Sequence, residues 1–484
     1  MKNKNLIGII LAFLALFIIL LLPNPDSLPI VGQRVLAVLA FAVILWVTEA
    51  VPYPVSALMI ISWLAILVGL SPTIDDPSTV YGTKEALGMA IAGFSSTAVG
   101  LVAGALFLAA AMEITGLHKR IALFIMSKIG TKPSRLVIGT IVVSFVLALF
   151  VPSATARAGT IIPILLGIVA AFGLTNTSKL AALLIITAVQ SISIWNVGIK
   201  TAAAQNMVAL GFIHSKFGID VAWGKWFLYA APWSILMSIL LFFVMTKLIK
   251  PEQTNLSEGN SIQTQLKALG KMKSSEWRLI IISIGLLLLW STEGFLHPLD
   301  STTVTIIAVA ITLLPKVGIF TWKEVQAKIP WGTLVVFATG ISLGMVLLST
   351  EAATWLSSNT FEAMGLAGMS VIALVAILAL FNIVIHLGFS SATSLASALI
   401  PIVIALVTAM EPTSFNGPGL VLIMQFVISF GFLLPVNAPQ NMLAYGTGTF
   451  TTKQLLKSGI LITALGYILI IIFSATYWQW VGLL

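Results

Sequence analysis

The chain has no cysteine and little charge, with only 8% of its 484 residues being Asp, Glu, Lys or Arg. Without a thiolate, disulfides, cysteine-ligated metal centres and cysteine nucleophiles are excluded. Soluble domains carry about 25% charged residues, whereas 59% of this chain is hydrophobic. The composition therefore predicts an all-α integral membrane protein with several spans, surrounded by membrane lipid.

The net charge of +9 does not indicate nucleic acid as a partner. In a membrane protein, excess Lys and Arg are expected in cytoplasmic segments, where they set the topology. Histidine is also scarce: the chain has four, without a His-Glu-x-x-His pattern. An intramembrane enzyme is therefore disfavoured, and we expect no cofactor and no metal.

Membrane spans can be predicted from apolar stretches, since a spanning helix needs about 20 mostly apolar residues. Two regions differ, because each looks like two short apolar helices broken by a small polar turn, which predicts a re-entrant hairpin. The eleven predicted spans are 6–22, 34–50, 54–70, 97–113, 180–195, 227–247, 279–296, 302–315, 331–349, 419–434 and 458–482. The two predicted hairpins are 136–151 with 157–172 and 368–387 with 394–410.

The cations predict the orientation of the chain. Lys2 and Lys4 precede the first apolar run, but Pro23 follows it without a small-residue cleavage site, so we expect this span to be retained. With the N-terminus in the cytoplasm and the C-terminus outside, most of the 25 Lys and Arg lie on the cytoplasmic side. The absence of transit-peptide composition favours a prokaryotic plasma membrane.

A polar stretch at 251–276, predicted to be a cytoplasmic linker, separates two halves at 34–250 and 277–484, and an extra helix at 1–33 precedes them. Four motifs of the first half recur in order in the second. The pairs are Trp46-Val-Thr-Glu49 with Trp290-Ser-Thr-Glu293, Glu113 with Glu351, Ser153-Ala154-Thr155 with Ser391-Ala392-Thr393, and Ala203-x-Gln205-Asn206-Met207 with Ala438-x-Gln440-Asn441-Met442. The second span then matches the seventh, which is five spans further along the chain. Because each span crosses the membrane once, an odd number of spans places equivalent points on opposite sides, so the halves are predicted to be inverted repeats.

Inverted repeats with paired broken helices are typical of secondary transporters, whose substrate binds near the membrane midplane. At each hairpin tip, Thr155 and Thr393 or their neighbours can cap the helix that follows. Helix N-termini present free N–H groups that favour an anion, so two matched tips suit a substrate with two carboxylates. The substrate-binding residues predicted in the tips are Ser153, Ala154, Thr155, Ser391, Ala392 and Thr393.

Two further helix breaks are predicted, at Asn196 to Gln205 and at Leu434 to Asn441, and these should wall the same cavity. The predicted binding residues there are Ala203, Asn437 and Ala438, and the predicted supports of the breaks are Gly198, Asn206, Pro435 and Asn441. An alternative is that these small and amide residues only pack and join helices. Their pairing across the repeat favours the binding site.

Arg157, Lys200 and His386 are titratable residues predicted at membrane depth, where a charge is costly without a partner. Arg157 lies in the first turn of a helix, where the dipole also opposes it. We hypothesise that all three compensate the charge of a transported anion. The alternatives are a structural pair for Arg157, snorkelling to an interface for Lys200, and a neutral buried histidine. The helix-end glutamates Glu49, Glu113, Glu293 and Glu351 are expected to be helix-terminus or interface partners.

These motifs resemble the divalent anion/sodium symporter family, which includes sodium-dicarboxylate cotransporters, bacterial citrate/succinate antiporters and plastid 2-oxoglutarate/malate translocators. The resemblance covers nearly the whole chain. It rests on Trp46-Val-Thr-Glu-Ala-Val-Pro52, on the two hairpin tips, and on Ser429-Phe-Gly-Phe432-Leu-Leu-Pro435-Val-Asn-Ala-Pro-Gln-Asn441. It implies eleven spans, two re-entrant hairpins, a scaffold domain that forms a homodimer, and a transport domain that moves by an elevator mechanism.

The hairpin tips depart from the family pattern. Family symporters have Ser-Asn-Thr there, and the Asn helps to bind carboxylate and sodium, whereas this chain has Ala154 and Ala392. The loss weakens both implied sodium sites, because hard cations need several oxygen ligands. If fixed cations replace sodium, an empty carrier resists moving, which predicts sodium-independent exchange of C4 and C5 dicarboxylates such as 2-oxoglutarate, malate, succinate or fumarate. The alternatives are a sodium-coupled dicarboxylate, citrate or sulfate symporter, a sulfate or arsenite carrier, and a channel.

Overall fold

In the computed structural model, the regular elements of the described residues are all helices. The described residues are 2–252, 261–362, 365–366, 369–410 and 415–484. Helices are the expected elements of such an apolar chain, because within a bilayer each backbone N–H and C=O must be satisfied inside its own segment. The prediction of an all-α membrane protein is confirmed.

The first half of the chain contains eleven α-helices. They are α1 (Lys2–Leu21), α2 (Ile30–Thr48), α3 (Tyr53–Gly69), α4 (Thr83–Ile91), α5 (Thr97–Thr115), α6 (Leu117–Ile129), α7 (Pro133–Phe150), α8 (Ala154–Ala171), α9 (Lys179–Gly198), α10 (Ala204–Phe217) and α11 (Trp223–Leu248). A 3-10 turn at Lys200–Ala202 lies between α9 and α10.

The described part of the second half follows the same order. Helix α12 (Ser261–Ala268) lies within the predicted linker. The helices that follow it are α13 (Ser274–Thr292), α14 (Ser301–Leu313), α15 (Trp322–Gln326), α16 (Trp331–Ser349), α17 (Ala352–Ser357), α18 (Val371–His386), α19 (Ala392–Ala409), α20 (Gly417–Ile428), α21 (Pro439–Tyr445), α22 (Thr452–Ala475) and α23 (Tyr477–Trp480). A 3-10 turn at Pro435–Asn437 lies between α20 and α21, which matches the turn between α9 and α10.

Every predicted span overlaps an observed helix, but some ends differ. Within the described residues, ten helices are long and apolar enough to cross a membrane, and they include α7, α8 and α19, which the sequence assigned to hairpins. The span predicted at 419–434 ends as a helix at Ile428, and the one at 279–296 ends at Thr292. Residue 368, the first of the second predicted hairpin, lies outside the described residues. The amphipathic helix α6 was not predicted.

The two halves are intertwined at the centre of the molecule. Helix α9 is buried along its whole apolar length, and its counterpart α20 is buried from Gly419 to Ile428. Short helix α10 packs against α19 of the other half, and short helix α21 packs against α8. This exchange brings the two breaks and the two hairpin tips together, although they are far apart in the sequence.

Candidate functional site

A cavity of about 600 Å³ lies where the two hairpin tips meet the two helix breaks. All nine residues predicted to bind substrate line it: Ser153, Ala154, Thr155, Ala203, Ser391, Ala392, Thr393, Asn437 and Ala438. His386 lines it as well. The structure therefore brings these residues to one place, while their role in binding stays a prediction.

Each hairpin tip is a serine-capped helix N-terminus facing the cavity. The Ser153 hydroxyl accepts from the N–H of Ala156 at 3.2 Å, and the Ser391 hydroxyl accepts from the N–H of Ser394 at 3.3 Å. The capping residue is thus the serine of each motif, not the threonine. The remaining free N–H groups of the first turn and the positive dipole end make each tip suitable for an anion.

We expect Ser153→Ala and Ser391→Ala each to lower stability by about 1 kcal/mol, the usual value of an N-cap. Because both serines line the cavity, each change should also raise the KM for substrate. Thermal melting in detergent and transport kinetics measure the two effects. Ser178→Ala is the matched control, since Ser178 caps α9 by accepting from Ala181 outside the cavity wall. If this control raises KM equally, the tip hydroxyls have no special role in binding.

The helix breaks are held by two buried asparagines that make matched bonds. Asn206 Nδ2 donates to the backbone carbonyls of Asn196 at 2.8 Å and of Ile199 and Lys200 at 3.3 Å. These are the carbonyls that the interruption frees, and a buried carbonyl without a donor is costly. Asn206 therefore replaces the helical hydrogen bonds that the first break loses.

Asn441 does the same for the second break. Its Nδ2 donates to the carbonyls of Gly431 at 2.7 Å and Leu434 at 3.2 Å. Relative to Asn441, these carbonyls occupy the sequence positions that Asn196 and Ile199 occupy relative to Asn206. The repeat therefore extends to individual hydrogen bonds, while the supporting role of Asn206 and Asn441 stays a prediction.

Glutamines beside these asparagines join one half to the other. Gln440 Nε2 donates to Ser193 Oγ at 3.0 Å, and Gln205 Nε2 lies 3.4 Å from Ser429 Oγ. Gln205, Gln440 and Ser429 also line the cavity, although the sequence analysis did not name them as binding residues. Their signal was present, because both glutamines belong to the repeated motif.

Arg157 lies behind the cavity wall and does not line it. Its side chain is fully buried, and Nη2 donates to Asn196 Oδ1 at 2.5 Å and to the Ala202 carbonyl at 3.0 Å. Among the described residues no carboxylate pairs with it, and its Nε and Nη1 have no partner there. Arg157 is thus a buried cation without a local counter-ion, attached to the first break.

His386 lies at the corresponding place beside the second break. Its Nε2 is 3.2 Å from the Asn437 carbonyl, and Asn437 Nδ2 donates back to the His386 carbonyl at 2.9 Å. Asn437 corresponds to Ala202 in the repeat. The same backbone carbonyl of each break is therefore in contact with a side-chain nitrogen, from arginine in one half and from histidine in the other.

Lys200 is buried but does not line the cavity. Burial disfavours its charge, and among the described residues Glu293, Asp220 and Asp300 act on it only from beyond ion-pair distance. Glu293 itself accepts from the N–H of Ser301 at 3.1 Å and of Trp223 at 3.2 Å, at the starts of α14 and α11. Glu293 is therefore the helix-terminus partner that the sequence predicted, and the compensating role of Lys200 stays a prediction.

The cavity wall includes further residues that sequence reasoning missed. Tyr53, at the start of α3, lines the cavity together with Ser391. Glu113 and Lys328 also line it. Tyr53 could have been identified from the sequence, because it directly follows the motif that ends at Pro52. No local sequence pattern places Lys328 at the cavity.

Matched broken helices around a cavity inside an apolar helical bundle are typical of secondary transporters. The sequence profile described as the sodium:sulfate symporter transmembrane region matches residues 3–484. The chain therefore belongs to this family, which confirms the resemblance to the divalent anion/sodium symporters and the prediction of a transporter instead of an enzyme.

Several relatives resemble this chain in sequence, and a solved structure resembles it in fold. A membrane protein of Cupriavidus necator is 49% identical, over 98% of this chain and 93% of that protein. The sodium-dependent dicarboxylate transporter SdcS of Staphylococcus saprophyticus is 27% identical over 97% of this chain and 92% of its own length, and the citrate/succinate antiporter of Escherichia coli is 26% identical over 95% of each. The crystal structure of the Alcanivorax borkumensis YdaH transporter shares the fold, with a TM-score of 0.59 at 14% identity over 91% of this chain and 99% of that one.

Proposed function

We propose that this protein exchanges C4 and C5 dicarboxylates across a prokaryotic plasma membrane without coupling to sodium. The cavity of about 600 Å³ is within the range of small-molecule sites. Two capped helix N-termini face it, one for each carboxylate of the substrate. The relatives named as a dicarboxylate transporter and a citrate/succinate antiporter support this substrate class.

The observation that carries the sodium-independent proposal is the state of the carbonyls at the helix breaks. Unwound backbone carbonyls of broken helices are typical sodium ligands in transporters. Here Arg157 Nη2 is bonded to the Ala202 carbonyl, and His386 Nε2 contacts the equivalent Asn437 carbonyl. In each half, a protein nitrogen thus already contacts a backbone carbonyl of the kind that binds sodium in such transporters. Ala154 and Ala392 supply no side-chain oxygen in compensation.

Fixed cations also explain why exchange should be obligatory. Moving a dianion through a low-dielectric membrane requires compensating charge, and Arg157 supplies one positive charge permanently. His386 adds a second when it is protonated. Without substrate, these charges oppose movement of the empty site, so return requires another dicarboxylate. Lys200 lies outside the cavity lining, and in this proposal it acts on the substrate only at long range.

The architecture proposed for this cycle follows the family resemblance. α7 with α8 and α18 with α19 are re-entrant hairpins, and eleven helices span the membrane in two inverted repeats at 34–250 and 277–484. The helix at 1–33 is additional, and 251–276 is a cytoplasmic linker. The hairpins and broken helices move as an elevator against a scaffold that forms a homodimer, with the N-terminus inside and the C-terminus outside.

Proteoliposomes test the proposal directly. Vesicles are preloaded with buffer or with unlabelled succinate, and uptake of radiolabelled succinate or 2-oxoglutarate is followed with and without an inward sodium gradient. We expect uptake only into succinate-loaded vesicles, at the same rate with and without the sodium gradient. Protein-free vesicles loaded with succinate provide the background.

A sodium-coupled symporter of dicarboxylate, citrate or sulfate is the second candidate, favoured by the family description and by the sodium-dependent relative. It predicts uptake into empty vesicles that depends on external sodium. That result would overturn the exchange proposal. It would also mean that other oxygens form sodium sites despite Ala154 and Ala392.

A further inference from the structure

An ion pair between the two halves lies at the open edge of the cavity. Lys328 Nζ is 2.6 Å from Glu113 Oε1, and both residues line the cavity. The two side chains are 47% and 54% exposed, respectively. Glu113 belongs to the last turns of α5, whereas Lys328 follows α15. We call Glu113 and Lys328 the mouth pair.

The mouth pair holds the permanent charges among the described residues that line the cavity. Arg157 and Lys200 lie outside the lining. His386 lines the cavity, but its imidazole carries no permanent charge and the residue is only 2% exposed. A dianion arriving from water therefore meets Lys328 as its first permanent cation. Deeper in the cavity it meets helix N-termini and side chains without a permanent charge.

The mouth pair is not required to hold its segment in place. The segment carrying Lys328 is fixed by aromatic contacts to Phe107 of α5, with ring centroids 5.5 Å from Trp322 and 6.3 Å from Trp331. Trp331 Nε1 also donates to the Gln326 carbonyl at 3.0 Å. An ion pair with both side chains half exposed adds little to stability. Its position at the cavity calls for another role.

We propose that Lys328 captures the dianionic substrate on the face where the cavity opens, and that Glu113 competes with substrate for Lys328. This inference rests on the proposed transport of dicarboxylates. A substrate carboxylate displaces Glu113 from Lys328, and the freed Glu113 then repels the dianion, which limits its residence at the mouth. Substrate passes to the helix N-termini at the tips because they bind both carboxylates.

The capture site is predicted to act on one face of the membrane. Glu351 is the repeat-related counterpart of Glu113, and within the described part of the chain it forms no ion pair. The repeat therefore conserves the glutamate but not the lysine partner. Neutralising Lys328 should change affinity where the mouth pair faces the substrate solution and leave the opposite face unchanged.

Counterflow in right-side-out and inverted membrane vesicles, both loaded with unlabelled succinate, tests the inference. On one face, Lys328→Gln should raise the KM for labelled succinate roughly three- to fivefold, the effect of one screened surface charge. Glu113→Gln should lower KM on that same face by about twofold, because it removes the competitor. Both shifts should shrink as ionic strength rises, since salt screens exposed charges. Lys323→Gln, an exposed neighbour outside the cavity lining, is the matched control and should leave KM unchanged.

The opposite changes in KM expected for the two variants distinguish substrate capture from a purely structural role of the ion pair. If the two variants shift KM in the same direction, shift it equally on both faces, or leave it at the wild-type value, the capture role is wrong. Wild-type vesicles without succinate counterflow would instead overturn the proposed function. Wild-type counterflow with unshifted variants overturns only the inference.

Discussion

Replacing Arg157 with glutamine should lower the rate of dicarboxylate counterflow by roughly 100-fold while the protein still inserts into the membrane. Arg157 is fully buried, and among the described residues no carboxylate pairs with it. Removing one partner from a buried charge interaction costs about 3 kcal/mol, and each 1.4 kcal/mol corresponds to about tenfold. The measurement is initial-rate counterflow in proteoliposomes, normalised to the amount of reconstituted protein.

The conservative variant separates charge from packing in this test. Arg157→Lys keeps a cation near the Ala202 carbonyl and should retain much more exchange than Arg157→Gln. In Arg157→Gln, Asn196 Oδ1 and the Ala202 carbonyl lose their donor, so we expect sodium to stimulate the residual uptake but not the wild-type uptake. Wild-type exchange in a well-inserted Arg157→Gln protein would overturn the charge-compensation proposal.

The second large effect is expected from Asn206→Leu, which should lower stability by at least about 2 kcal/mol and abolish transport. The change removes a buried amide that donates to the carbonyls of Asn196, Ile199 and Lys200. Each buried acceptor left without a donor costs about 1–3 kcal/mol. Thermal unfolding of purified protein in detergent measures the loss, and counterflow measures the consequence for the site.

The repeat supplies an internal comparison for this prediction. Asn441→Leu should produce a similar loss, because it leaves the equivalent carbonyls of Gly431 and Leu434 without their donor. Asn176→Leu, at an exposed position between α8 and α9, is the matched control and should change the melting temperature little. A melting temperature of Asn206→Leu equal to that of Asn176→Leu would mean that the break does not need its side-chain support.

The repeated motifs located the candidate site in the sequence. Ser153-Ala154-Thr155 and Ser391-Ala392-Thr393 recur with the same spacing to a following apolar helix, and all six residues line one cavity. Any single motif was compatible with simple helix packing. The recurrence of several motifs in the same order indicated instead that they occupy equivalent positions in two related halves. The repeat also drew attention to Asn206 and Asn441, which donate to backbone carbonyls at the two breaks.

The sequence could not reveal which way a buried cation points. Arg157 and Lys200 were expected beside the substrate because a membrane charge needs a partner. The structure directs Arg157 to Asn196 and Ala202 and places the carboxylates of Glu293, Asp220 and Asp300 in the field of Lys200. A sequence gives the position of the Cα atom, whereas the partner of a long side chain depends on helices distant in the chain.

The amino-acid sequence by itself determined that this protein is a helical membrane transporter with two related halves, because apolar segment length and repeated polar interruptions are local properties of the chain. Tertiary structure decided how the halves intertwine, with α10 on α19 and α21 on α8, and hence that one cavity joins both tips. It also decided that Lys328 meets Glu113. Such contacts arise only when helices from both halves pack together, since no local pattern encodes a distance between residues so far apart in the chain.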